Sequence, residues 1–213
     1  MKKPTSPIKG STQDFVEIED LVDDVVLLKG NAAVTIIEVG AVNFYLLSSE
    51  EQSSIIYSYS NLLNSLSFPV QIVILSKKMD VSNYLEYVQT KMQQQKNPLL
   101  QKTLQSYQEF IRSTVKKNSV LEKRFFFTIP FNPLEMGASG MQKLSKEYVV
   151  SRAKTSLYPK RDHLLRLLAK IGLRAEVAQK QSVVELFYNI YNPSPVGRQL
   201  APLDTYTGPI MSQ

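Results

Sequence analysis

The run Arg124-Phe-Phe-Phe-Thr-Ile129 sets three phenylalanines side by side and leaves no polar face to turn toward water. Successive side chains of a strand point to opposite sides, so a strand built on this run needs cover on both faces. Residues 25–29 and 33–44 have the same character, and Gly30-Asn31 between them suits a tight hairpin turn. Together these runs require central strands covered by helices.

The rest of the chain supplies the helices. Ser48 followed by Glu51 is a capping-box pattern, and Ile55, Tyr59, Leu62 and Leu66 then recur at helical spacing until Phe68-Pro69. Residues 70–76 read as a short apolar strand. Asp80 suits the cap of a helix carrying Tyr84, Leu85, Val88 and Met92, and Gln93-Gln-Gln-Lys-Asn-Pro98 ends it. Pro98 suits the first turn of a second helix, with Leu100, Leu104, Tyr107, Ile111 and Val115 on one face, so the pair reads as an antiparallel hairpin. After the strand at 124–129, residues 130–140 read as a loop, and 141–158 have only weak helical periodicity. From Pro159 the pattern sharpens: Leu164, Leu168 and Ile171 share a face, Gly172 suits the cap, and residues 173–178 read as a last strand. Val183, Val184, Phe187 and Ile190 mark a final helix ended by Asn192-Pro193.

This order predicts an α/β arrangement of the α+β sandwich type. Its expected form is one mixed five-stranded sheet with helices predominantly on one face and a split β-α-β-like order. Residues 1–14 read as a flexible N-terminal tail, 15–193 as one domain, and 194–213, with three prolines, as an extended C-terminal tail.

Charge is divided unevenly. Residues 1–60 hold 4 Lys/Arg against 9 Asp/Glu, whereas the whole chain is formally +6, so the later part is strongly basic. Such asymmetry favours an acidic partner, a nucleic acid or an anionic lipid surface, or else a solvated helical exterior. The basic residues concentrate at Lys154, Lys160, Arg161, Arg166, Lys170 and Arg174. Of these, Lys160, Arg166 and Lys170 fall on or near the side of the helix away from Leu164, Leu168 and Ile171, as a candidate anionic-partner surface. No aromatic residues interleave with them to stack bases.

Catalytic chemistry finds little footing. Gly137-Ala-Ser-Gly140-Met-Gln-Lys143 has two residues between its glycines where a phosphate loop has four, and no Gly-Lys-Ser/Thr ending. His163 is the only histidine, there is no cysteine, and the acid pairs Asp23-Asp24 and Glu50-Glu51 are adjacent in sequence instead of facing across a cleft. The expectation is a chain with no catalytic, cofactor or metal residues. The basic N-terminus has no apolar run behind it, and no run approaches the ~20 residues of a membrane-spanning helix. A cytoplasmic protein is expected.

The segments Asp24-Val-Val-Leu-Leu-Lys-Gly-Asn31, Leu62-Leu-Asn-Ser-Leu-Ser-Phe-Pro-Val-Gln-Ile72 and Glu185-Leu-Phe-Tyr-Asn-Ile-Tyr-Asn-Pro193 resemble the N-terminal region of TraC-type conjugation ATPases. The resemblance runs from about residue 13 to 193 and brings no ATPase residues with it. It implies a non-catalytic docking module of a type IV secretion or conjugation machine, on the cytoplasmic face of the inner membrane. Its implied partners are the ATPase and inner-membrane subunits. The alternative is a nucleic-acid or anionic-membrane binding protein that uses the basic stripe.

Overall fold

A computed structural model describes residues 15–78, 81–118, 121–141 and 144–192. The expected tails at 1–14 and 194–213 and the cap at Asp80 lie outside the described residues. In chain order the elements are β1 (Ile18–Val22), β2 (Val25–Leu28), β3 (Ala32–Val39), α1 (Ser49–Ser65), β4 (Gln71–Lys78), α2 (Ser82–Gln94), α3 (Pro98–Asn118), β5 (Leu121–Phe131), α4 (Lys146–Ile171), β6 (Ala175–Val177) and α5 (Lys180–Tyr191). The strands form one sheet in the order β1-β2-β3-β5-β4, with β6 pairing residues 37–39 of β3 past the stretch that pairs with β2.

The fold class is α+β, and the β-α-β unit is split as expected. β3 leads through α1 to β4, and the later strand β5 is inserted between them. Two details differ from the expectation. The sheet has six strands instead of five, and it is antiparallel instead of mixed. The additional strand is β1, whose Glu19 and Asp20 hide its apolar residues from a periodicity reading. The inserted β5 runs antiparallel to β3, which removes the parallel neighbours a mixed sheet needs.

Contacts divide the chain into two compact units, Met1–Val73 with Phe125–Lys180 and Ile74–Arg124 with Gln181–Gln213. The core of the first unit follows from strand alternation. Val25 and Leu27 of β2, Ala33, Ile37 and Val39 of β3, and Phe127, Ile129 and Phe131 of β5 share one face, in a register pairing Ile37 with Phe127 and Ala33 with Phe131. α4 lies across that face and α1 packs on α4. Leu157, Leu164 and Leu168 of α4 are fully buried, and each contributes about 1.5–3 kcal/mol by the transfer of its side chain from water. Phe126, the middle residue of the aromatic run, points to the opposite face and is also fully buried.

Local signals set the ends. Gly30 and Asn31 take left-handed φ values of 74° and 62° between β2 and β3, a conformation that suits glycine and asparagine. Ser48 and Glu51 form the reciprocal capping box of α1. Gly172 ends α4 with φ of 86° and donates its N–H to Ala169. α4 itself departs from expectation, because it is one helix of 26 residues that passes through Pro159. An interior proline costs a helix ~3 kcal/mol. Here Val149, Val150, Ala153 and Leu157 are buried before it and Leu164 after it, so packing holds both sides in line.

In the second unit α2 and α3 form the expected helical hairpin. The buried Gln108 donates to the Leu85 carbonyl at 3.2 Å and to the Gln89 side chain at 3.1 Å, and the Tyr84 and Tyr107 hydroxyls meet at 2.9 Å. Val183, Leu186 and Asn189 are the buried positions of α5, and Glu185 pairs with Arg124 at 3.6 Å.

Candidate functional site

The chain's two charge blocks meet inside the first unit. Asp23 and Asp24 form the tight turn between β1 and β2, with Asp23 at φ of 55°, and the turn faces the basic helix α4. Lys146 reaches Asp20 at 3.1 Å, Lys154 reaches Asp23, and Arg161 reaches Asp24 at 2.7 Å. The last contact is the most enclosed. Asp24 also accepts from the Tyr158 hydroxyl at 2.8 Å, and the Arg161 guanidinium lies 4.0 Å from the centre of the Tyr158 ring. The Asp24 carbonyl accepts from the fully buried Thr35 hydroxyl at 3.2 Å.

This geometry shifts ionisation in a consistent direction. Burial first, and then donation to Asp24, pushes the Tyr158 hydroxyl up. The Asp23 carboxylate holds the Lys154 ammonium up, and the Lys146 ammonium together with the Leu21 N–H holds the Asp20 carboxyl down. Burial disfavours the charged form of Arg161, but hydrogen bonds to Asp162 and Asp24 outweigh it and hold the guanidinium up.

The candidate stripe is only partly free. Lys160 is half-buried and donates to Glu135 at 3.0 Å, where Ser156 also donates. Burial pushes the Glu135 carboxyl up, yet the Ser156 and Lys160 bonds bring it net below its ordinary value. Arg166 and Lys170 are exposed and make no ion pair among the described residues. Arg174 makes a loose exposed pair with Glu176 at 3.8 Å. Much of the basic cluster therefore serves intramolecular pairs.

An open cleft of about 650 Å³ lies beside the turn, lined by Asp23, Asp24, Arg161, Asp162, Gln179 and Lys180 among others. Its acids are already engaged with Lys154 and Arg161. Among the described residues no group of three His, Asp or Glu side chains is placed to hold a metal ion. His163 sits against Phe68 edge-on, with ring centres 6.4 Å apart. Lys143 of the glycine-bearing loop lies outside the described residues.

Sequence reasoning did not separate Arg161 from its basic neighbours. The signal was its spacing, four residues after Leu157 and three before Leu164, which puts a cation in line with the buried face. Periodicity sets Leu100 on the apolar face of α3 and does not mark out the exposed apolar residues. In the first unit these include Tyr45, Leu46, Ile56, Tyr57 and Leu63, on α1 and the turn before it; in the second they include Tyr87, Leu99, Leu100 and Phe110 of the α2–α3 hairpin.

The sequence profile of the archaeal TraC-like domain matches residues 21–186, most of the chain and nearly all of its described elements. The chain belongs to that family. The TraC-like match begins in β1 and ends in α5, so it includes the acidic turn, α4 and the helical hairpin. No curated protein matches the chain. The family name alone points to type IV secretion. Among its described residues no helix is long and apolar enough to cross a membrane.

Proposed function

We propose that this TraC-like domain is a non-catalytic docking module of a type IV secretion or conjugation assembly, joining other subunits of that assembly at the membrane. The family match over residues 21–186 carries the reading. The outer side of α1 supports it: Ile56, Tyr57 and Leu63 are each about half exposed or more, and Tyr45 and Leu46 in the preceding turn are almost wholly exposed. A cluster of this kind suits contact with another subunit. The internal pairing of Lys154, Lys160 and Arg161 weighs against polyanion binding as the main role. The chain is proposed to work without cofactor or metal and to perform no hydrolysis of its own.

The test is site-specific photo-crosslinking in cells from position 57, with the crosslinked proteins identified. Subunits encoded with a conjugation ATPase should be recovered, and Ile56→Asp with Leu63→Asp should abolish the crosslinks in a protein that still folds. Recovery of no such subunit, or crosslinks indifferent to the two aspartates, would refute the docking role.

A further inference from the structure

We infer that the tip of the α2–α3 hairpin docks onto an anionic lipid surface. The two helices turn around at residues 95–97, and Pro98 starts α3 with two leucines directly behind it. Leu99 is 72% exposed and Leu100 46%, so the turn ends in an apolar point facing solvent. Around that point the sequence is Lys91-Met-Gln-Gln-Gln-Lys96-Asn-Pro-Leu-Leu-Gln-Lys102, with three lysines and no acid in the whole stretch. All three lysines are exposed.

Further along the same hairpin the exposed aromatic residues are Phe110 and three tyrosines. Tyr87 is 59% exposed with the Lys91 ammonium 5.4 Å from its ring centre, and Tyr84 and Tyr107 are exposed with their hydroxyls bonded to each other. Apolar tip and lysine collar follow the layers of a bilayer surface, acyl boundary and anionic headgroups, and Tyr87 beside Lys91 suits the headgroup level, where aromatic rings with a polar end gather. The charge decides the occupant. Lysines flanking an apolar insertion gain from a negative surface, whereas a protein groove for two leucines does not need cations on either side of them. This surface is independent of the docking role proposed above and lies on different residues from the Lys160, Arg166 and Lys170 stripe.

The chain contains no tryptophan, so Leu99→Trp installs a single fluorescent reporter at the tip. With the full chain, its emission should shift to the blue and its quenching by iodide should fall on addition of vesicles of phosphatidylcholine mixed with phosphatidylglycerol, and neither should change with phosphatidylcholine alone. In co-sedimentation, Lys91→Gln, Lys96→Gln and Lys102→Gln together should lower partitioning on the order of a hundredfold, from about fivefold per lysine. Leu99→Ser with Leu100→Ser should also lower it, and Arg166→Gln with Lys170→Gln should leave it unchanged. All these positions are exposed, and circular dichroism checks the fold of each variant. No binding to either vesicle, equal binding to both, or loss of binding only in the Arg166 and Lys170 variant would overturn the inference; crosslinking from position 57 reads the docking role separately.

Discussion

The Arg161 guanidinium donates to the Asp24 carboxylate at 2.7 Å with both side chains less than one-fifth exposed, 18% and 17%. Removing Arg161 leaves the Asp24 carboxylate enclosed, with only the neutral Tyr158 hydroxyl to meet its charge. Loss of a fully buried pair member costs ~3–5 kcal/mol, and the residual exposure here brings Arg161→Ala to about 2–3 kcal/mol. Chemical denaturation measures it. Arg161→Met combined with Asp24→Leu should recover much of the loss, and a double variant as unstable as the single one would show that the charge pair is not its origin.

Phe126→Ala should destabilise the first unit by about 3–5 kcal/mol, the range for removing a large aromatic side chain from a packed interior. Phe126 is fully buried on the sheet face opposite Phe127. A denaturation midpoint close to that of the native chain would contradict this placement.

Acid should loosen the molecule through Asp20 and Glu135. Both carboxyls are held below their ordinary values in the fold, so the unfolded chain takes up these protons first. Their contribution is present above the unfolded-state value and disappears as pH falls through the folded-state value. Melting temperature measured from neutral pH downward should therefore fall in the carboxylate range, and Asp20→Asn with Glu135→Gln should make that fall shallower. An unchanged slope would remove these two groups from the account.

The stripe should add little to duplex DNA binding: Arg166→Glu with Lys170→Glu should lower the log–log salt slope by no more than about 2, because these are two cations able to release about one counterion each. Anisotropy over a salt series measures the change. Lys160→Glu should add little to that loss and should instead lower stability, since it places a carboxylate beside Glu135. Sub-micromolar affinity at physiological salt would restore the nucleic-acid reading.

Much of the fold is legible where one residue type answers one local need. Ser48 and Glu51 at the start of α1, Gly30-Asn31 in the turn, Pro98 opening α3 and Gly172 closing α4 are of this kind. β1 is not, because Glu19 and Asp20 interrupt its apolar pattern and the lysine that Asp20 answers, Lys146, lies more than a hundred positions away. The run through Pro159 was hidden for a related reason: proline reads as a boundary locally, and only burial on both sides of it keeps the helix whole. β3 was expected to reach residue 44 and stops at Val39, where Gly40 turns its N–H to the Arg174 carbonyl at 2.8 Å. The basic stripe was visible as composition, but the partners that neutralise Lys154, Lys160 and Arg161 come from distant segments. The two compact units left no trace in sequence because their boundaries at 73–74, 124–125 and 180–181 fall within strands or at the start of α5, not in linkers.

The insertion of β5 between β3 and β4 sets a timetable for the growing chain. β3, α1 and β4 leave the ribosome early with a vacant slot in their sheet, and the strand that fills it arrives only after the whole helical hairpin has been made. Long-range pairings of this kind are slow to form. Until then the apolar faces of β3 stand open, so a chain interrupted before Phe131 has the makings of an aggregate, and its half-finished sheet is the stage at which a nascent-chain chaperone has most to protect.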